Sequence, residues 1–173
     1  GRLSYGKSGF SGEIGHFPLL NNNQICHCGK MGCLETGASG SAVHRIFMEK
    51  LKEGRTSMLS DKYNRGEVIH IEEIIDAVNE EDVLAIEVVE EIGTTLGRAI
   101  AGLINLFNPE LIVIGGNVSI TRDYLLLPIK SAIQKHSLNI INSDTTIKYS
   151  KLGKKAGAIG SCMLSRSKLL GLL

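Results

Sequence analysis

The sequence predicts an α/β domain, on three observations. A long stretch with helical apolar spacing stops at Asn108-Pro109. The continuous apolar run Leu111–Ile114 follows at once and reads as a strand. A second helical stretch then leads into Thr145–Ser150, which alternates as a strand does. Strand, long helix, strand, helix, strand, helix is the α/β order. The chain has 173 residues, 43% of them apolar, which suits one globular domain able to remove ~70% of its unfolded surface from water.

Residues 3–10 read as a strand and turn, broken up by Gly1, Gly6, Gly9 and Gly12. The opening resembles the tail of a hairpin, so the chain is expected to be part of a longer protein. Residues 12–35 follow as an irregular loop with Pro18 and Asn21–Asn23 as turn formers. After Ala38-Ser39-Gly40-Ser41, the positions Val43, Ile46, Phe47, Met48 and Leu51 give a one-sided helical stripe that Gly54 stops. Residues 55–70 are polar and irregular, with a turn at Asn64-Arg65-Gly66, and read as a surface excursion. Ile71–Asn79 is a short amphipathic helix.

Asp82 is placed to cap the long helix that runs to Asn108. Gly93, Gly97, Ala101 and Gly102 make one side of that helix small. Each glycine costs ~1 kcal/mol against alanine there, so the run signals close approach by another element, read as a sheet. Pro109 ends the helix by disfavouring helical geometry in the residue before it. Leu111–Ile114 reads as a strand buried on both faces, ending in Gly115-Gly116-Asn117. A helix over Thr121–His136, the strand Thr145–Ser150, a glycine-bearing turn from Gly153 to Gly160, and a last helix over Ala156–Leu169 complete the chain.

Net charge is +1, with no block of basic residues, which argues against this segment gripping nucleic acid itself. No run of 18 apolar residues free of charge exists, so no membrane partner is expected. No signal peptide opens the sequence, and the expected location is cytoplasmic.

Three of the four cysteines lie at Cys26, Cys28 and Cys33, with His16 before them and nine residues between it and the first. Clustered cysteines in this spacing read as a metal site rather than a disulfide framework. His16, Cys26, Cys28 and Cys33 make a four-ligand, sulfur-rich set of the kind closed structural zinc sites use. His27 is a second candidate imidazole, strained by its place between two ligands; three reduced cysteines without metal are the plain alternative. Cys162 reads as a buried helical thiol. A closed site does no chemistry itself but fixes its loop. What it would fix are the two carboxylates at the loop ends, Glu13 and Glu35, suited to accept hydrogen bonds from vicinal hydroxyls.

Gly-Glu-Ile-Gly-His (12–16) followed by Cys-His-Cys-Gly-Lys-Met-Gly-Cys-Leu-Glu (26–35) resembles the signature of the ROK family of repressors, open reading frames and sugar kinases. The resemblance continues through Asn108–Ser119 and Lys155–Ser161. It implies the C-terminal lobe of an actin/hexokinase-like (ribonuclease H-like) ATPase fold carrying an inserted zinc loop, with residues 1–173 as a single lobe. It implies zinc on His16, Cys26, Cys28 and Cys33, and sugar contacts from Glu13, His16 and Glu35. His16 would serve both through its two ring nitrogens.

Gly115 and Gly116 match the family loop near the nucleotide of its kinases, where a further glycine or small residue commonly follows. This chain has Asn117. Any catalytic aspartate would lie in an N-terminal lobe, so no catalytic residue is assigned here. Two functions follow from the resemblance, beside the plainer reading of a remnant that only packs and dimerises. One is the sugar- or amino-sugar-sensing lobe of a transcriptional regulator, contacting DNA through an N-terminal domain outside these residues. The other is a sugar kinase using Mg-ATP. Asn117 and the Lys154-Lys155 pair favour the regulator, and homo-oligomers are expected in either case.

Overall fold

The computed structural model describes residues 4–171, so Leu3 of the expected first strand lies outside it. Helices α1 (Glu35–Ala38), α2 (Gly40–Lys52), α3 (Ser60–Asn64), α4 (Ile71–Asn79) and α5 (Val83–Phe107) precede strand β1 (Leu111–Ile114). Then come α6 (Asp123–His136), α7 (Asn139–Asn142), β2 (Thr146–Tyr149) and α8 (Ala156–Leu169). Single 3-10 turns occupy Ile14–His16, Asn117–Thr121 and Gly153–Lys155.

Helix boundaries follow the local chemistry. The Ser39 hydroxyl accepts from the Ala42 amide at 3.1 Å and starts α2. The Asp82 carboxylate accepts from Ala85 N at 2.8 Å and from Met58 N at 2.7 Å, so it caps α5 and ties down the preceding loop. Asn108 adopts the left-handed conformation at φ 43° before Pro109. α5 is the axis of the fold. Around it, Phe47 of α2, Ile74 and Val78 of α4, and Ile129 and Ile133 of α6 close over Val88, Val89 and Ile104, all essentially without solvent exposure. Each such side chain contributes roughly 1.5–3 kcal/mol by leaving water.

Strands β1 and β2 pair in parallel, from Leu111 opposite Thr146 to Ile114 opposite Tyr149. Thr146 N donates to Glu110 O at 2.9 Å and Ser150 N to Ile114 O at 2.8 Å, extending the ladder at both ends.

Five expectations need correction. Residues 4–10 form turns rather than a strand; no strand lies alongside among the described residues, and Phe10 is 77% exposed. The segment 55–70 is not purely a surface excursion. It contains α3, buries Ile69 and packs Leu59 and Tyr63 against the core; Arg55–Glu87 and Lys62–Glu73 ion pairs hold it. β1 is covered on one face only: Ile112 and Ile114 meet the helices, while Leu111 and Val113 stay about half exposed. The small face of α5 meets helix α6, not a sheet, and Gly102 stands in open space. Cys162 is exposed, because α8 buries none of its residues against the rest of the described chain.

Candidate metal centre and ligand cleft

The loop 12–35 folds into a two-ply ribbon with few apolar contacts. Phe17–Leu20 runs beside Gly32–Leu34, with Leu20 N donating to Gly32 O and Leu34 N to Phe17 O, each at 2.9 Å. The tip turns tightly: Cys26 N donates to Lys30 O and Gly29 N to Cys26 O, each at 2.8 Å. Folding the ribbon in half brings His16, on the 3-10 turn Ile14–His16, over the cysteines.

The ligating atoms of His16, Cys26, Cys28 and Cys33 all lie within 4.8 Å of one another. His16 Nδ1 is 3.6 Å from Cys26 Sγ, and Cys28 Sγ is 3.6 Å from Cys33 Sγ. A tetrahedral zinc with ~2.3 Å bonds to sulfur needs ligand separations of about 3.8 Å. The donor set and its spacing therefore fit that metal. His27 stands outside the cluster.

Cys26 and Cys33 are buried, while Cys28 and His16 reach the surface. This asymmetry separates the thiols electrostatically. The Lys30 amide, hydrogen bonds from Cys33 and Cys26, and the nearby His16 outweigh burial and lower Cys28 to about 7. Burial, and then its hydrogen bonds toward Cys28 and Cys26, raise Cys33 to about 11.

The same fold gathers the acids. His16 Nε2 faces Glu13 Oε2 at 3.9 Å, so one ring nitrogen points to the sulfurs and the other to a carboxylate. Glu35 begins α1 two residues after Cys33. Its Oε2 lies 2.9 Å from the place a Cβ on Gly15 would take, so the glycine is what lets Glu35 sit against the turn that holds Glu13 and His16. Gly15→Val should displace the Glu35 carboxylate by an ångström or more while leaving the zinc ligands intact. A crystal structure of the variant with the Glu35 carboxylate unmoved would contradict that geometry.

Glu35 also opens onto a cleft of about 860 Å³. Ser39, Ser41 and His44 continue its wall from α2, His70 stands at the start of α4, and Gly115, Gly116 and Asn117 close the far side. Ile92, Leu96 and Leu125 form an apolar floor. Glu35 and the strand-end glycines, which the sequence treats as separate features, share this one cleft. Glu13 and His16 stand beside Glu35, off the cleft wall. His44 and His70 were not legible as site residues: each sits in an ordinary helical context. His44 Nε2 pairs with Ile69 O at 2.8 Å, which leaves Nδ1 as an acceptor when the ring is neutral.

The profile of the ROK family matches residues 1–168. The chain belongs to the ROK family. It is 38% identical over 169 residues to a glucokinase of Halalkalibacterium halodurans, covering 97% of this chain and 51% of that one. It is 36% identical over 175 residues to the DNA-binding transcriptional dual regulator NagC of Escherichia coli, covering 100% of this chain and 41% of the regulator. This ROK chain thus spans about half the length, or less, of these curated relatives. A ROK glucokinase from Streptomyces griseus, solved with glucose and AMPPNP, superimposes with a TM-score of 0.84 at 28% identity over 96% of this chain and 55% of that one. The ROK fold here is accordingly α/β of the actin/hexokinase-like kind, as its motifs imply. No described helix is long and apolar enough to cross a membrane.

Proposed function

We propose that the chain is the C-terminal lobe of a ROK transcriptional regulator and senses a sugar or amino sugar through Glu13, His16 and Glu35. Structural zinc on His16, Cys26, Cys28 and Cys33 holds these three in register; the metal fixes geometry and takes no part in chemistry. The observation that carries the reading is the character of the cleft beside Glu35. Its charged wall residue is a carboxylate, joined by serine hydroxyls, histidines and Asn117 over an apolar floor. Such a surface suits a neutral polyol, whose hydroxyls donate to Glu35. Asn117, on that wall where family kinases carry a small residue, agrees.

In this reading the sugar binds one arrangement of the protein more tightly than another and so shifts an N-terminal DNA-binding domain outside these residues. Homo-oligomers in the cytoplasm belong to the same reading. A sugar kinase is the second reading. It draws on the 38% identity to a glucokinase and on Gly116, where a Cβ would meet nothing within 4 Å and backbone could approach Mg-ATP.

Glu35→Ala should weaken sugar binding of the full-length protein about 10- to 100-fold, the loss of roughly two charge-assisted hydrogen bonds. Zinc content should stay at one equivalent. Wild-type affinity in that variant would overturn the role of Glu35. ATP-dependent phosphorylation of hexoses or N-acetylhexosamines by the full-length protein, with robust turnover, would replace the regulator by the kinase.

A further inference from the structure

A second cavity, of about 610 Å³, lies beyond the carboxyl ends of β1 and β2. It shares no lining residue with the cleft beside Glu35. Arg122 and Lys151 bring two cations to it, and Ser119, Ser150, Tyr149 and Asp123 complete the polar wall. We propose that this cavity is an anion site for a phosphate group, held by Arg122, Lys151 and the Ser150 hydroxyl.

Four features support the assignment. Carboxyl ends of parallel strands are where open α/β sheets present ligands. Arg122 occupies φ 49°, ψ −112°, a conformation that side-chain-bearing residues rarely adopt and that persists only where the surrounding structure imposes it. The corner is imposed from both sides. Arg122 N donates to Ser119 O at 3.2 Å, and Arg122 O accepts from Leu126 N at 2.9 Å to start α6. The residue kept at this strained corner is an arginine, whose planar guanidinium matches phosphate geometry.

The first amides of α6, a helix of 14 residues, add positive potential at the same place. Ser150 Oγ accepts from Leu152 N at 3.2 Å and so keeps its own hydrogen to donate. Ser119, in contrast, spends its hydrogen on Gly116 O at 2.6 Å and serves only to set the loop. Asp123 is the one carboxylate on the wall. It accepts the Tyr149 hydroxyl at 3.0 Å, and stands as one acid against the two cations Arg122 and Lys151.

The ligand class is a phosphate, free or as a monoester on a small molecule. The site is independent of the sugar reading, so either can fail alone. The test is calorimetric titration of the zinc-loaded, full-length protein with inorganic phosphate, against chloride at matched ionic strength, followed by a hexose monophosphate. Saturable phosphate binding is expected. It should weaken at least tenfold in Arg122→Gly and in Lys151→Gln, with sugar affinity and zinc content unchanged. Glycine takes the φ of position 122 without strain, so the first variant keeps its fold, and Lys151 is exposed. Tighter binding of the monoester would support the site and identify the phosphate as part of a metabolite; equal binding would support free phosphate. No heat beyond chloride in the wild type, or undiminished phosphate binding in Arg122→Gly, would overturn the proposal.

Discussion

Cys28→Ser should reduce zinc from one equivalent to almost none and leave residues 12–35 unfolded while the helical core persists. The loop has little else to hold it. Within 12–35 only Cys26, Gly32, Cys33 and Leu34 are buried, and two of those four are candidate metal ligands. The ribbon's backbone bonds amount to a few isolated contacts between Phe17–Leu20 and Gly32–Leu34 and a tight tip around Cys26–Lys30. Ordering such a loop costs conformational entropy that these few contacts do little to offset, and the binding free energy of a structural zinc becomes folding free energy for its loop. Metal analysis and limited proteolysis read the outcome: new cleavage between Phe17 and Met31, with far-ultraviolet dichroism nearly unchanged. A zinc-free variant that resists cleavage there would show that the loop folds without its metal. On the proposed sugar-sensing function, sugar binding should fall with the zinc, since Glu13, His16 and Glu35 lose their mutual placement.

Acid should reproduce that loss. Zinc binds thiolates, so protons held by the metal-free site must leave. With Cys28 lowered to about 7 and Cys33 raised to about 11, only Cys28 of these two is ionised just above neutrality. Below pH 7 both carry protons. Apparent zinc affinity should then fall at least ~100-fold per pH unit, and at least ~10-fold per unit between pH 7 and 11. Competition with a chelator across pH measures the slope; a flat response between pH 5 and 7 would contradict thiolate ligation.

The sequence made these residues legible because their chemistry is local and rare. Thiols at Cys26, Cys28 and Cys33 within eight positions have few other uses, and the Asp82 cap and Asn108-Pro109 stop act within one helical turn. What stayed hidden depends on partners far along the chain. Whether Leu111–Ile114 is covered on one face or two is set by the layers around it, not by its own apolar run. The exposure of Cys162 likewise reflects what α8 packs against. His44 and His70 acquire meaning only once α2 and α4 place them across from Gly115-Gly116. The strain at Arg122 has no signature in composition at all, since it arises where the turn Asn117–Thr121 must redirect the chain into α6.

The small face of α5 shows both sides of this limit, and it yields a prediction with two signs. Gly97→Val should destabilise the protein by about 3–4 kcal/mol, whereas Gly102→Ala, five residues along the same helix, should stabilise it by about 0.5–1 kcal/mol. A Cβ at position 97 would lie 2.6 Å from Ile129 O, 2.9 Å from Ile129 Cα and 2.7 Å from Ala132 Cβ. The first two are backbone, so no rotamer change relieves them and α5 and α6 must separate. Gly93, one turn earlier, meets Leu125 O at 2.9 Å, which carries the same close seam along the interface. At position 102 nothing lies within 4 Å, and the substitution only restores helix propensity. Urea midpoints of the two variants measure the contrast; equal shifts would mean the seam is looser than its geometry. The seam also bears on the ligand, because Ile92 and Leu96 from α5 and Leu125 from α6 floor the cleft beside Glu35. Forcing the helices apart should therefore widen that floor and weaken sugar binding even under conditions where Gly97→Val remains folded and zinc-loaded.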